Sequence, residues 1–167
     1  MRNELIYRQA TPADAHSLSR LATVSWQRFE NDLGSDNWQE LSQALNKVDY
    51  AALAATTYGV LCVNDHGEIV GMSFLVPSGN PTDIFPSDWS YVRMVTVHPL
   101  YNGRGIGREL MTRCIDQARN AGETVIALHT SEVMNAARHI YESLGFEIVS
   151  ELGLRYGKRY WIYRMDL

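Results

Sequence analysis

Three glycines between a predicted strand and a predicted helix form the first pattern that could bind a ligand. Gly103, Gly105 and Gly107 alternate with other residues in the turn that follows the strand. Glycine permits positive φ angles and has no Cβ atom, so consecutive backbone N–H groups can converge on an anion. The helix predicted from Gly105 adds unpaired N–H groups and the positive end of its dipole. This segment therefore predicts a pyrophosphate-binding site.

Two familiar glycine-rich nucleotide motifs do not match this segment. A P-loop ends in Gly-Lys-Ser/Thr, whereas Gly107 is followed by Arg108 and Glu109. A dinucleotide-binding fingerprint requires a third glycine three residues after Gly107, and that position is Leu110. By itself, the segment is also compatible with a glycine-rich turn that leads into a helix and binds nothing.

A second pattern occupies residues 137–146, in a predicted helix and at the start of the next predicted strand. Ala137 and Leu144 are spaced to pack on a sheet, and Gly145 is typical of a left-handed helix end. Tyr141 lies between them on the same helix. Its hydroxyl either is satisfied within the core or takes part in chemistry.

In this order and spacing, the two patterns resemble the signatures of the GNAT superfamily of acetyl-CoA-dependent N-acetyltransferases. Residues 97–99 and 105–107 match the first signature, and residues 137–146 match the second. Asn102 stands where the family usually has Arg or Gln, and Met134 stands where many members have Asn. The resemblance extends through nearly the whole chain.

The resemblance implies that acetyl-CoA is a cosubstrate, bound where the fourth and fifth strands splay apart. Backbone groups of Val95 and Val97 would bond the pantetheine arm, and the Val95 amide would polarise the thioester carbonyl. Tyr141 would be the general acid that protonates the departing CoA thiolate. The implied cofactor-binding residues are Val95, Thr96, Val97, Asn102, Gly103, Arg104, Gly105, Ile106, Gly107, Arg108, Asn135, Arg138 and Tyr141.

The residues near the acceptor amine are inferred from strand geometry. Because side chains alternate along a strand, we expect Tyr91 and Arg93 on the same face as Val95. Arg93 either pairs with a substrate carboxylate or forms a structural ion pair. The general base is left open between Glu30, His98, His129 and a water relay. The residues expected to contact the acceptor are Trp26, Glu30, Tyr91, Arg93 and His129.

The resemblance implies an acyltransferase that moves an acetyl group from acetyl-CoA to a primary amine of a small molecule, by direct attack in a ternary complex. Two alternatives stay open. The fold could bind acyl-CoA or a metabolite as a non-catalytic sensor, or it could acetylate a protein or peptide amino terminus in a groove formed by the first two helices and the proline-rich loop 77–87. No metal is expected, since Cys62 and Cys114 lack metal-ligand spacing and fit a reduced, buried pair.

Hydrophobic periodicity and turn residues predict the elements that must position these side chains. A first helix begins near Thr11, and a second, less regular helix is expected over 38–55. The other expected elements are strands at 5–7, 58–63, 69–76, 91–97, 125–130, 147–152 and 160–165, with helices at 105–121 and 134–144. The expected class is α/β (α+β), a GNAT fold with a mixed, mostly antiparallel twisted sheet of six to seven strands, about four helices and a central β-α-β-α cofactor unit.

Composition fits one globular domain over residues 1–167. The chain is 46% hydrophobic and 20% charged, which argues against disorder, and its net charge of −4 argues against nucleic-acid binding. Residues 1–5 lack the apolar core of a signal peptide, and no apolar run approaches the ~18 residues of a membrane span, so we expect a cytoplasmic protein without a membrane partner.

The resemblance also allows a homodimer. The basic residues near the carboxyl end are interpreted as a solvated strand edge: Arg155, Lys158, Arg159 and Arg164.

Overall fold

One sheet of seven strands organises the protein, whose computed structural model describes residues 4–167. Residues 1–3, part of the segment on which the signal-peptide prediction rests, lie outside the described residues. The strands are β1 (Ile6–Gln9), β2 (Tyr58–Val63), β3 (Ile69–Val76), β4 (Ser90–Val97), β5 (Val125–Ser131), β6 (Glu147–Arg155) and β7 (Lys158–Asp166). The α-helices are α1 (Ala15–Gln27), α2 (Glu30–Leu33), α3 (Ser35–Lys47), α4 (Tyr50–Thr56), α5 (Ile106–Asn120) and α6 (Asn135–Leu144).

The strands are ordered β1-β2-β3-β4-β5-β7-β6 across the sheet. Within residues 4–167, β4 and β5 form the one parallel pair, and every other neighbouring pair is antiparallel. A parallel pair requires a crossover connection, which α5 provides. The result is the mixed, mostly antiparallel sheet that the sequence predicts, with a β4-α5-β5-α6 unit at its centre.

The expectation of about four helices is too low, because residues 4–167 contain six α-helices. The segment 38–55, expected as one helix, is divided between α3 and α4 at Val48, whose ψ of 125° is extended. The Asp49 carboxylate then accepts a hydrogen bond from the Ala52 N–H at 2.9 Å and caps the start of α4. Helix α1 ends at Gln27, and Glu30 is the first residue of α2. Among the described residues, no helix has the length and apolar character needed to cross a membrane.

Different helices cover the two faces of the sheet. On the face that we call the α5 face, Val92 of β4 belongs to a buried cluster with Leu110 of α5 and Tyr141 of α6. On the opposite face, which we call the α1 face, Phe74 of β3 belongs to a second cluster with Leu18 of α1. Because neighbouring strand residues point to opposite faces, these two clusters divide the side chains that can reach either side of the sheet.

Helix α5 approaches the sheet closely at Gly71 of β3. A Cβ atom at this position would lie 2.8 Å from Ile106 Cγ2 and 3.2 Å from Leu110 Cδ1. We therefore expect Gly71→Ala to lower the free energy of unfolding by about 1–3 kcal/mol, as overpacking of a well-packed core does. Urea denaturation measures the loss. Gly153→Ala is the control, because a Cβ there would meet no atom within 4 Å, and an equal loss in both variants would contradict the close-packing explanation.

Candidate functional site

Strands β4 and β5 separate after a short contact near the start of β4. Their ladder contains the pairs Ser90–Ile126 and Tyr91–Ala127, and it does not continue beyond them. The strands therefore splay, as the resemblance implies. On the side of β4 that faces β5, the backbone groups beyond Tyr91 are left without a strand partner, so they can bond a ligand placed between the strands.

A bulge in β4 lies just beyond the point of separation. Met72 pairs with Thr96 and Phe74 pairs with Arg93, so two residues of β4 oppose a single residue of β3. Within the bulge, Met94 has a φ of +58°.

The extra residue corrects one expectation from the sequence. Val95 packs with the cluster of Val92 on the α5 face, whereas Tyr91 belongs to a third cluster with Phe85 and Ala127. Tyr91 and Val95 therefore do not share a face, because the bulge interrupts the alternation of side chains.

A cavity of about 670 Å³ occupies the gap between β4 and β5. Residues from both faces of the sheet line it. The α5 face contributes Val92, Val95, Leu128 and Tyr141, and the opposite side contributes Trp26 of α1, Glu40 and Leu41 of α3, Arg93, His129, and Arg155 and Tyr156 of the β6–β7 hairpin. The cavity thus joins the side of the sheet that carries α5 to the side that carries α1 and α3.

The glycine turn lies before the amino terminus of α5. Gly103 and Gly105 both have a φ of +77°, in the left-handed region that glycine adopts most easily. A Cβ at either position would meet no atom within 4 Å, so the surface over these backbone groups is open. Gly107 differs, because a Cβ there would lie 3.3 Å from Ile140 Cδ1 of α6. An open backbone turn at the positive end of a 15-residue helix fits a diphosphate group.

The charged side chains beside this turn are held by the protein. The Arg104 guanidinium lies 4.6 Å from the centroid of the Tyr101 ring. Arg108 Nη1 donates to Ser143 Oγ of α6 at 2.7 Å. The turn therefore offers an anion chiefly its backbone N–H groups, with the two guanidinium charges nearby.

The remaining residues predicted to bind the cofactor surround this turn and the start of α6. Thr96 Oγ1 donates to the Met94 carbonyl across the bulge at 3.0 Å, and Val97 ends β4. Asn102 and Asn135 are exposed, Asn102 at the end of a short 3-10 turn and Asn135 as the first residue of α6. A separate set of contacts holds Arg138.

Two side chains of β7 hold Arg138 in place. Its Nε donates to the Tyr163 hydroxyl at 3.0 Å, and its guanidinium lies 4.1 Å from the centroid of the Trp161 ring. The Tyr163 hydroxyl in turn donates to Glu142 at 2.9 Å. These contacts explain the position of Arg138 without a ligand.

Tyr141 lines the cavity from the α5 face. Its side chain is 4% exposed, and its hydroxyl has no hydrogen-bond partner among the described residues. Burial raises the pKa of the phenol well above its usual value, and the nearby Cys114 thiol acts in the same direction. Tyr141 therefore keeps its proton at neutral pH and can donate it only to a strong base that forms inside the cavity.

His129 and Arg93 line the same cavity from the α1 side. The His129 side chain is open to the cavity but surrounded by protein, and this desolvation lowers its pKa to about 4, with Arg155 and Arg93 adding to the effect and Asp83 opposing it. Arg93 forms no ion pair with a carboxylate among the described residues. The imidazole is therefore neutral at neutral pH, and the Arg93 charge is available to a ligand.

Tyr91, Glu30 and His98 do not reach the cavity, although the sequence makes them candidates. The Tyr91 ring stacks on Phe85 with 4.5 Å between centroids, and its hydroxyl donates to the Asn80 carbonyl at 3.1 Å. The Glu30 side chain is exposed on α2, and His98 Nδ1 accepts a bond from the Leu100 N–H at 3.2 Å. Of the three side chains considered as bases, His129 alone lines the cavity.

Sequence reasoning missed the contribution of the β6–β7 hairpin and of α3. Arg155 and Tyr156 line the cavity, so Arg155 is not part of a solvated strand edge. Glu40 joins them from α3. The clustering of basic residues near the carboxyl end was a signal for Arg155, but only the pairing of β7 with β5 brings the hairpin to the cavity.

Comparison with known proteins gives the same answer for the fold. Residues 17–146 match the family model described as the acetyltransferase (GNAT) family. The N-acetyltransferase PaiA of Thermoplasma acidophilum, solved in complex with coenzyme A, superposes with a TM-score of 0.77 over 98% of this chain and 99% of that chain, at 13% sequence identity.

Two curated bacterial enzymes share part of the sequence. The L-amino acid N-acyltransferase MnaT of Escherichia coli is 36% identical over 67 residues, which are 38% of this chain and 39% of that protein. The L-methionine sulfoximine/L-methionine sulfone acetyltransferase of Salmonella typhimurium is 28% identical over 112 residues, 65% of this chain and 64% of that protein. The chain thus matches less than two thirds of the length of each relative. Family model, sheet topology and splayed central strands agree, and the chain belongs to the acetyltransferase (GNAT) family.

Proposed function

We propose that this protein transfers the acetyl group of acetyl-CoA to the primary amine of a small molecule that also carries a carboxylate. The observation that carries this proposal is the cavity between β4 and β5, which Val95, Tyr141 and Arg93 all line. Membership of the family supports the donor. The names of the MnaT and L-methionine sulfoximine/L-methionine sulfone relatives, which refer to amino acids and their derivatives, support the acceptor.

The donor side of the reaction rests on backbone groups. The N–H groups at Gly103–Gly107 and the first turn of α5 bind the diphosphate, and β4 bonds the extended arm in the gap beside β5. Acetyl-CoA supplies a thioester, whose carbonyl oxygen gains negative charge during attack. The Val95 N–H stabilises that charge, since a fixed donor in a partly dry cavity is most effective where charge develops.

The side chains of the cavity favour direct attack by the amine in a ternary complex over a route through an acetylated cysteine. Cys62 and Cys114 do not line the cavity, so neither is placed to carry the acetyl group. Burial raises the pKa of Cys114 to about 12, and its Sγ lies 3.1 Å from Ser73 Oγ. Tyr141 donates its proton to the sulfur as the carbon–sulfur bond breaks.

The acceptor side of the cavity combines a cation with apolar walls. Arg93 presents a planar, two-pronged donor that suits a carboxylate, and it has no carboxylate partner within residues 4–167. This favours the substrate role over the structural ion pair. Trp26, Leu41, Leu45, Val48 and Leu154 provide apolar surface for the rest of the molecule. An amino acid with an apolar side chain fits this arrangement.

An assay of free thiol release from acetyl-CoA tests the proposal. The panel contains L-amino acids, their carboxamides, simple alkylamines and short peptides. We expect thiol release with apolar L-amino acids, at kcat/KM values at least tenfold above those of the matched carboxamides. Binding of acetyl-CoA without thiol release for any amine would favour the sensor, and release with peptides alone would favour amino-terminal acetylation.

Substitution of Arg93 tests the recognition of the carboxylate. A hydrogen bond to a charged group contributes about 1.5–3 kcal/mol, so Arg93→Ala is expected to lower kcat/KM for the amino acid by about tenfold to hundredfold. Activity on the matched carboxamide should change by less than about threefold. Arg119→Ala, an exposed arginine near the end of α5, is the control. Equal losses on both acceptors would point to a structural role of Arg93.

Three further features stay predictions from the sequence. These are a single domain over residues 1–167, a homodimer and a cytoplasmic location. The first agrees with the continuous seven-stranded sheet, to which strands from both ends of the described chain contribute.

A further inference from the structure

The register of β4 and β5, extended by two residues beyond its last pair, brings Arg93 and His129 to corresponding positions on the two strands. Tyr91 pairs with Ala127, and both belong to the same buried cluster. Two residues further along each strand, on the same face, come Arg93 and His129. The ladder has ended by then, so the two side chains face each other across the gap rather than across a continuous sheet. Both line the cavity.

Arg155 completes this group from the β6–β7 hairpin. It lines the same cavity, and its charge acts on His129 in the same direction as that of Arg93. Neither arginine forms an ion pair with a carboxylate among the described residues. Two guanidinium groups that lack protein counter-ions therefore lie beside a neutral imidazole.

The other charged and titratable groups around His129 form no ion pair with these arginines among the described residues. Asp83, from the loop between β3 and β4, is the carboxylate that acts on His129, and its effect is the smallest of those on the imidazole. The Tyr160 ring of β7 lies 6.1 Å from the imidazole, centroid to centroid. Glu40 of α3 and Tyr156 of the hairpin line the same cavity. A ligand carboxylate is the counter-ion that this group accepts.

We propose that His129 is the base that takes a proton from the acceptor amine, and that the acceptor's own carboxylate, held between Arg93 and Arg155, supplies the negative charge that lets His129 hold this proton. The inference rests on the proposed function and assigns to it a base and a second carboxylate-binding residue. It also gives a physical reason for selectivity toward carboxylates. With an uncharged analogue, the positive charges of Arg93 and Arg155 would stay unbalanced, and His129 would remain too weak a base to take the proton.

The acceptor ammonium loses one proton to His129, which becomes the imidazolium, and the neutral amine attacks the thioester carbon. As the carbon–nitrogen bond forms and the carbon–sulfur bond breaks, Tyr141 gives its proton to the sulfur and regains one from the nitrogen. His129 then releases its proton to solvent. Of the two protons that leave the nitrogen, one ends as the thiol hydrogen and one in solution.

The pH dependence of kcat at saturating substrate tests the proposal, with L-methionine and L-methioninamide as probes. His129→Gln is expected to lower kcat for L-methionine at least tenfold and to remove the acidic limb of its pH profile. For L-methioninamide the loss should stay below about threefold.

Arg155→Gln separates the electrostatic role from a structural one. Removing one positive charge favours the protonated imidazole, so the pKa of His129 measured by NMR without an acceptor should rise, while KM for L-methionine rises several-fold. NMR titration of the His129 ring, assigned with His129→Gln, in the presence of CoA and either probe measures the effect of the acceptor carboxylate without turnover. An NMR titration that is unchanged by L-methionine would overturn the proposal.

The outcomes distinguish this inference from the proposed function. If no carboxylated amine releases thiol from acetyl-CoA, the proposed function is wrong. The role of His129 as base, which rests on it, is then wrong as well. If L-methionine is acetylated but His129→Gln leaves its kcat within about twofold, the function stands and the base is not His129.

Discussion

Replacement of Tyr141 by phenylalanine is expected to lower kcat by about a hundredfold or more, the usual contribution of a positioned proton donor. The side chain is buried at the wall of the cavity, and its hydroxyl has no protein partner among the described residues. Its raised pKa keeps the phenol protonated at neutral pH, so the proton is present when the sulfur departs.

The affinity for acetyl-CoA should remain within about twofold in the same variant, because the backbone of the glycine turn supplies the binding. Stopped-assay kinetics and calorimetry measure the two quantities. Tyr7→Phe is a matched control, since Tyr7 packs against the same buried cluster but does not line the cavity. A Tyr141→Phe enzyme with unchanged turnover would remove Tyr141 from the chemistry.

Gly105→Ala is expected to weaken acetyl-CoA binding by about a hundredfold. The φ of +77° is costly for any residue with a Cβ, and the open surface above this turn is where the diphosphate should lie. A methyl group there would hold the anion away from the backbone N–H donors. Each charge-assisted bond contributes about 1.5–3 kcal/mol, so the loss of one to two such bonds gives this magnitude. Titration calorimetry with acetyl-CoA measures it.

The opposite end of α5 offers the control. Gly122 has a φ of +79°, and a Cβ there would also meet no atom within 4 Å. Gly122→Ala should therefore lose a similar amount of folding stability but bind acetyl-CoA normally. If the two variants bind acetyl-CoA equally well, the glycine turn does not hold the diphosphate.

The sequence predicted those parts of the candidate site that are built from residues close together in the chain. The glycine turn and the first turn of α5 are contiguous, so residue type and spacing were sufficient. The division between α3 and α4 also had a local signal, because Asp49 three residues before Ala52 is a capping arrangement. An apolar stripe over 38–55 conceals that break.

Long-range pairing determined the parts that the sequence did not predict. The bulge at Met94 depends on the register between β3 and β4, and strict alternation placed Val95 on the wrong face. Tyr91 was expected near the acceptor, but the Phe85 ring from the preceding loop packs on it instead. Arg155 reaches the cavity because β7 inserts between β5 and β6, which no local pattern reveals.

The bulge in β4 has a consequence for how this protein could change its specificity. One extra residue divides the strand into a segment that ends at Arg93, which lines the cavity from the α1 side, and a segment from Val95, whose backbone we propose serves the donor. Substitutions in the first segment can alter acceptor preference without disturbing the acetyl-CoA contacts in the second. A single strand thus separates a side chain proposed to recognise the acceptor from a backbone proposed to bind the donor, and libraries intended to redirect the acceptor should vary Arg93 rather than the residues after the bulge.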